Sequence, residues 1–484
     1  MHRRSTDSRG YPEESSYKWV VLFITTLGSF MTPLDSSIVG IALPSIASSL
    51  RIDYAAVLWV PTVYLLCLTV FLLSFGRIAD MRGRKLPFIL GFVMFTAASV
   101  ACSASQNGIQ LIMSRATQGV GGALICATSP AIVTDVFPSE ERGKALGINA
   151  MAVYTGLSVG PTLGGFLVQS LGWRSIFYIN LPIGTFVVGL SLLKLQESSI
   201  SSSRERFDWL GAGTFSIGLT GLLLALTLGA GYGWASSTIL SFWITSVVFL
   251  LLFGFAETRM GEEAILNISL FFKNRLFAAA NITALLNYTA HFAVVFLISF
   301  YLQRVLNYSP VQAGLILLPM PLTMAVLSPV SGWLSDRVGS RILSSAGMGF
   351  VCFALFLLSN LSTSASALDV SVRLLILGVG NGLFAPPNTS AVMGSVEKGR
   401  LSVAASTLAT MRFLGQSVSL ALAGAVAATT VSSKLLSDLF IGIGALNETI
   451  MSEAFVEGIR RALTASGVVA AIGIFTSLIR GKGK

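Results

Sequence analysis

The stretch Gly76-Arg77-Ile78-Ala79-Asp80-Met81-Arg82-Gly83-Arg84-Lys85 returns 256 residues later as Gly332-Trp333-Leu334-Ser335-Asp336-Arg337-Val338-Gly339-Ser340-Arg341. Each copy closes an apolar run with a glycine, an aspartate and a cluster of cations. A second pair, Glu141-Arg142-Gly143-Lys144 and Glu397-Lys398-Gly399-Arg400, keeps the same offset. Two separate motifs in one register indicate duplicated halves. One copy alone would read as a basic turn between two helices. Two in register point to a mechanical part, because glycine lets helices approach closely and Asp80 can meet a helix N-terminus or a cation across the interface between halves. Such a contact can form in one state and break in another. Asp135, at the end of the fourth apolar run, is the partner expected for Arg84 or Arg77, with a simple helix-end charge as the plainer alternative.

Around this repeat the chain is overwhelmingly apolar. Of its 484 residues 53% are apolar and 11% charged, against about 25% charged in soluble domains, and the mean hydropathy is +0.77. A soluble enzyme of this size is excluded. Apolar runs fall at 19–41, 55–76, 86–104, 109–132, 145–169, 175–194, 209–229, 237–256, 276–301, 311–333, 342–361, 371–393, 402–428 and 463–480. Fourteen helical crossings at roughly 20 residues each leave room for short loops and no sizeable extramembrane domain. The first run is too long for a cleaved signal and serves as a span that also targets the chain.

Lysine and arginine check the count independently. With the N-terminus inside, 23 of the 32 fall on the cytoplasmic side, six on the opposite side and three (Arg115, Arg373, Arg412) within spans. That alternation places both termini in the cytoplasm. It also explains the net charge of +10 as a record of orientation, so no nucleic-acid partner is implied. The expected organisation is a tail at 1–18, a six-helix bundle at 19–194, a Ser-rich linker at 195–208, an inserted helix pair at 209–256, a linker at 257–275, a second six-helix bundle at 276–480 and a tail at 481–484. Cys67, Cys102, Cys126 and Cys352 all sit in apolar stretches and read as small core residues. Neither zinc-type Cys/His clusters nor a phosphate-cradling GxxxxGK[ST] loop occurs, so no metal, no cofactor and no ATP-driven pump is expected.

The charges that fall inside spans carry the chemistry. Asp35 lies well within the first run, where a lone charge at mid-depth costs about 2.5–3.5 kcal/mol on insertion scales. Such a carboxylate faces water, a partner or a proton, and it can exchange its proton for a cation. The plainer alternative is a buried aspartate satisfied by a helix end or by Ser36 and Ser37. Arg115 has no accessible neutral state and cannot carry the proton itself. It lies about six residues into its span, roughly 9 Å deep at 1.5 Å per residue, which makes snorkelling awkward. Gly156, Gly160 and Gly164 form a side-chain-free stripe along the fifth run, with Pro161 and Gly165 adjoining. Four-residue spacing puts the three on one helix face for close packing, and Pro161 bends the helix.

These residues carry a family resemblance. The G-x-x-x-D-x-x-G-R-K pattern of 76–85 resembles the loop signature of the major facilitator superfamily. Leu34-Asp35-Ser36-Ser37-Ile38-Val39-Gly40-Ile41-Ala42-Leu43-Pro44 resembles the first-helix motif of its drug:proton antiporters, with Gly40 where Asn is usual. Leu111-Ile112-Met113-Ser114-Arg115-Ala116-Thr117-Gln118-Gly119-Val120-Gly121-Gly122-Ala123 is similar to the fourth-helix motif linked to proton coupling, and Gly156-Leu157-Ser158-Val159-Gly160-Pro161-Thr162-Leu163-Gly164-Gly165 to the fifth-helix antiporter motif. Trp173-Arg174 through Asn180-Leu181-Pro182-Ile183-Gly184, and Pro386-Pro387-Asn388, resemble features of the fourteen-span branch. The resemblance implies an all-α integral membrane protein of the major facilitator fold, two six-helix bundles plus two extra central helices. It implies that Asp35 carries the proton and Arg115 tunes it, that the fifth-helix packing seals the proton path, and that Gly76, Asp80, Gly83, Arg84, Asp135, Asp336 and Arg337 form a conformational latch.

The function so implied is a monomeric transporter of the cell membrane, not an enzyme. Proton re-entry would drive export of small organic compounds, hydrophobic or cationic, by alternating access. An exporter of a specific metabolite, lipid or siderophore is the alternative with the same fold; a non-transporting sensor is a further one. Tyr64, Gln118, Asn287, His291, Phe384 and Gln416 are candidates for a substrate pocket, with packing roles open for each; His291 reads first as a hydrogen-bonded core histidine. Spans ten and thirteen carry no acidic residue, and Arg412 places a cation in the thirteenth, which argues against a dicationic substrate.

Overall fold

Long apolar runs become helices in a bilayer because every backbone polar group must be satisfied within its own segment. The computed structural model describes residues 15–52, 54–197, 207–260, 265, 269–427 and 448–480. Among them are helices and turns and no strand. The expected tail 481–484, residues 1–14 of the N-terminal tail, and parts of both linkers (198–206, 261–264, 266–268) lie outside the described residues.

The helices are α1 (Ser15–Leu50), α2 (Tyr54–Arg82), α3 (Lys85–Ala104), α4 (Gly108–Val136), α5 (Arg142–Leu171), α6 (Ser175–Tyr178), α7 (Asn180–Lys194), α8 (Trp209–Tyr232), α9 (Ser237–Met260), α10 (Ser269–Lys273), α11 (Arg275–Phe300), α12 (Pro310–Leu317), α13 (Pro319–Val338), α14 (Ser340–Leu358), α15 (Ala367–Gly394), α16 (Leu401–Ala427) and α17 (Glu448–Leu478). Side-chain caps start several of them. Asn107, Asn274 and Ser366 accept backbone N–H bonds at the starts of α4, α11 and α15, and Ser309 forms a reciprocal capping box with Gln312 at α12.

Twelve helices among the described residues are long and apolar enough to cross a membrane, or thirteen when the bent pair Arg142–Gly160 and Thr162–Leu171 counts as one span. The chain is a multi-pass membrane protein. The run expected at 402–428 is helical as α16 but is not one of the twelve, because Ser402, Ser406, Thr407, Thr410, Arg412, Gln416, Ser417 and Ser419 dilute its apolar character. Other boundaries also move. The run 463–480 belongs to a helix that begins at Glu448, where charged residues continue the helix. The sixth run breaks at Ile179 into α6 and α7, and the tenth at Leu318 into α12 and α13.

The repeated motif is not a free loop, as its turn-like composition suggested. Helices α2 and α13 run through it, so Asp80 and Asp336 lie near the last turns. The turn proper falls on Gly83 and Gly339, both at φ 91°, a left-handed conformation that glycine adopts without a Cβ penalty.

Two groups of helices pack mainly within themselves. In the first, α1 packs on α5, α4 and α7, while α4 packs on α2 and α3; in the second, α11 packs on α16 and α17, and α14 and α13 on α15. The groups meet through α5 against α13 and α15, and through α16 against α2 and α4. The α8–α9 pair packs on itself and on α2 and α16. An apolar layer of Leu22, Ala131, Phe137, Leu146, Phe277, Val392, Leu401 and Ala405 joins both groups beside the repeated motifs.

Candidate functional site

Asp35 on α1 and Arg115 on α4 are both 0% exposed, and Arg115 Nη1 meets Asp35 Oδ2 at 2.5 Å. The other carboxylate oxygen accepts from Gln118 Nε2 at 2.9 Å and from Asn180 Nδ2 at 2.8 Å. Both amides also reach Ser99 Oγ, at 2.8 and 3.2 Å. Arg115 is held from three further sides: Nε donates to the Val60 carbonyl at 3.2 Å, Nη1 donates to Gln118 Oε1 at 2.6 Å, and the guanidinium lies 4.3 Å from the Tyr64 ring centroid. The cluster draws on α1, α2, α3, α4 and α7, and Phe177 of α6 covers the guanidinium at 5.8 Å. All of it belongs to the first helix group.

The enclosure has a chemical consequence. Breaking a buried pair by neutralising one member leaves the other charge uncompensated, at a cost of about 3–5 kcal/mol. A proton on Asp35 therefore forces Arg115 to find another partner or more water. Arg115 Nη2, Asn180 Oδ1 and the Tyr64 hydroxyl are already buried without a hydrogen-bond partner among the described residues. The site can couple protonation to rearrangement.

The glycine stripe holds α1 at this site. A Cβ on Gly156 would lie 2.6 Å from the Phe30 carbonyl oxygen, one on Gly164 2.7 Å from Ile38 Cγ1, and one on Gly160 would overlap the Ser37 hydroxyl. Gly165 does not belong to the close-packed face: nothing lies within 4 Å of its Cβ position. Helix α5 bends by 43° between Gly160 and Thr162; the Pro161 side chain lies outside the described residues.

The repeated motif builds a second cluster, between the helix groups. Asp80 accepts the backbone N–H groups of Ser402 and Val403 at 3.0 and 2.9 Å, capping the start of α16. Asp336 does the same for α5, accepting from Gly143 and Lys144 at 2.9 and 3.0 Å. Each aspartate thus completes a helix N-terminus of the other group, where orphan N–H groups and the helix dipole favour an anion. Arg84 binds Asp80 at 2.9 Å and Asp135 at 3.1 Å and donates to Ser402 Oγ at 3.1 Å and to the Lys398 carbonyl. Gly76 and Gly332 make the approach possible, since their Cβ positions fall on Ser406 and on the Gly143 carbonyl. Arg337 takes no part in the cap and lies exposed over Trp333, 4.1 Å from the ring.

The pocket candidates scatter. Tyr64 and Gln118, expected to line a pocket, are enclosed with the Asp35–Arg115 pair. His291 is buried with Nδ1 2.7 Å from the Asn287 carbonyl, and Asn287 Nδ2 reaches Met348 Sδ at 3.3 Å. Phe384 is buried 6.0 Å from the Arg480 guanidinium, and Arg480 binds Asn388. Gln416 is half-buried on α16. Ser99 and Asn180 were missed as members of the carboxylate cluster. Asn180 carried a signal, a lone amide inside an apolar run; Ser99 carried none. Among the described residues no three His, Cys, Asp or Glu side chains converge as a metal site would require.

The sequence profile of the Major Facilitator Superfamily matches residues 25–420. The chain is 36% identical over 397 residues to the riboflavin transporter RibZ of Clostridioides difficile, covering 82% of this chain and 85% of that protein. It is 35% identical over 418 residues to the multidrug resistance protein Stp of Mycobacterium tuberculosis, covering 86% and 77%. Among solved structures, the proton:xylose symporter XylE superposes with a TM-score of 0.65 at 15% identity, covering 96% of each chain.

Proposed function

The chain belongs to the major facilitator superfamily, and from that membership we propose that it is a proton-coupled antiporter of the fourteen-span drug:proton branch, exporting small organic compounds by alternating access. The observation that carries the proposal is the enclosed Asp35–Arg115 pair. Asp35 takes the proton, Arg115 favours its release, and the Gly156–Gly164 face of α5 holds α1 in place while the path is sealed. One proton supplies roughly 2.3 kcal/mol per 100 mV of membrane potential, enough for a tenfold or larger substrate gradient.

The bundles at 19–194 and 276–480 are the two moving bodies, with 209–256 inserted between them and α16 as the remaining crossing. The protein is a monomer in the cell membrane with both termini cytoplasmic. On that orientation the Asp80 and Asp336 caps close the cytoplasmic side. A second reading is favoured by one relative: similarity to a riboflavin transporter fits an exporter of one specific metabolite, with the same machinery and a narrower pocket.

The test is flux in proteoliposomes under an imposed pH gradient, with ethidium and riboflavin as probes. Wild-type protein is expected to move at least one of them faster with the gradient, and Asp35→Asn to lose that acceleration. Full retained coupling in Asp35→Asn would sink the assignment.

A further inference from the structure

Some of the buried or half-buried arginines have an acidic partner in view. Arg115 has Asp35, Arg84 has Asp80 and Asp135, and Arg373 has Asp369. Arg412 does not. It stands eleven residues past the start of α16, roughly 17 Å along the helix at 1.5 Å per residue and so near the middle of a hydrocarbon core about 30 Å thick.

Its surroundings are neutral. One Nη2 donates to Thr389 Oγ1 on α15 at 2.6 Å, the guanidinium lies 5.8 Å from the Tyr288 ring on α11, and Nε is buried with no hydrogen-bond partner among the described residues. From the other helix group, α2 and α4 pack on α16, and Ala409 and Phe413, which flank Arg412 in the sequence, pack against the cluster of Tyr64, Ala123 and Ile125. Arg412 therefore sits where the two groups face each other. Among the described residues no carboxylate nearby is left to pair with it. Helices α5, α11 and α16 contain no acidic residue. Asp135 of α4 and Asp369 of α15 are held by Arg84 and Arg373 at helix ends, and Asp35 is held by Arg115.

A cation at this depth without a counterion is unfavourable unless something supplies one. We propose that Arg412 anchors the acidic group of a flat aromatic substrate, a carboxylate or sulfonate, held between the two helix groups. The guanidinium offers a planar fork to such an anion, and half-buried Tyr288, bonded to the buried Tyr154, sets an aromatic ring beside it for the aromatic body. This rests on the transporter reading above and narrows its substrate class from small organic compounds to aromatic anions.

The experiment is equilibrium binding to the full chain in lipid nanodiscs without any gradient, read by fluorescence anisotropy. The probes are fluorescein, a flat anion, and ethidium, a flat cation. Wild-type protein is expected to bind fluorescein, Arg412→Gln to bind it at least tenfold more weakly with ethidium binding unchanged or tighter, and Arg412→Lys to fall between. Absence of fluorescein binding by wild type, or equal fluorescein affinity in Arg412→Gln, overturns the proposal. Should Arg412→Gln fail to fold, Arg412→Lys decides: weakened fluorescein binding supports the anchor and unchanged binding overturns it. A failure of proton coupling would appear separately, as gradient-independent flux with fluorescein binding intact.

Discussion

The carboxylate of Asp80 accepts the backbone N–H of Ser402 at 3.0 Å, so the last turns of α2 close the first turn of α16. Charge-assisted bonds of this kind are worth about 1.5–3 kcal/mol each. Asp80→Asn keeps an acceptor and loses the charge. It is expected to lower the closed-to-open ratio about tenfold, since 1.4 kcal/mol is one decade in an equilibrium constant. Electron–electron resonance distances between spin labels at the exposed positions Arg82 and Lys398 check this: a longer component should grow. Asp336→Asn should open the α5 side by a similar amount.

The Asp35–Arg115 pair makes a non-additive prediction. Arg115→Gln leaves a buried carboxylate facing two amides and should destabilise the protein by about 3–5 kcal/mol. The double variant Arg115→Gln with Asp35→Asn removes both charges and should unfold at a higher temperature than Arg115→Gln alone. Thermal unfolding in detergent ranks the variants; additive losses would deny the coupling.

The two adjoining glycines of α5 should behave oppositely. Gly164→Ala places a methyl 2.7 Å from Ile38 Cγ1, an overpacking that costs about 1–3 kcal/mol. Gly165→Ala meets nothing within 4 Å and should be tolerated in both stability and flux. The melting temperatures of the pair make the comparison.

Two ion pairs on the same face differ in worth. Lys18 and Glu141 meet with side chains 22% and 43% exposed, so Lys18→Ala should cost about 0–1 kcal/mol and less in high salt. Arg84 bridges two buried carboxylates, so Arg84→Gln should cost several times more and vary little with salt. Unfolding at low and high salt separates the two.

Charged residues inside apolar runs were legible in the sequence because the bilayer penalises them strongly. Asp35 and Arg115, in runs 80 residues apart, meet as their burial requires. The direction in which a polar but neutral side chain points was not legible. Gln118 could have faced a pocket and instead faces Asp35, while Ser99 looks like any small residue of a span. The extent of helices beyond the membrane was equally hidden, since Glu448–Leu478 begins with acids that suit a helix as well as a loop. The polarity of α16 was visible, but its cause, an interface crowded with hydroxyls and a cation, was not.

The reciprocal caps give the chain a property of a complex. Each group of helices supplies the anion that finishes a helix of the other, and neither cap involves the peptide between residues 195 and 275. The connection is therefore made by recognition as well as by covalent continuity. Separately synthesised halves would carry matching docking points, two donors and one carboxylate on each side, and could find the native pairing as two proteins do.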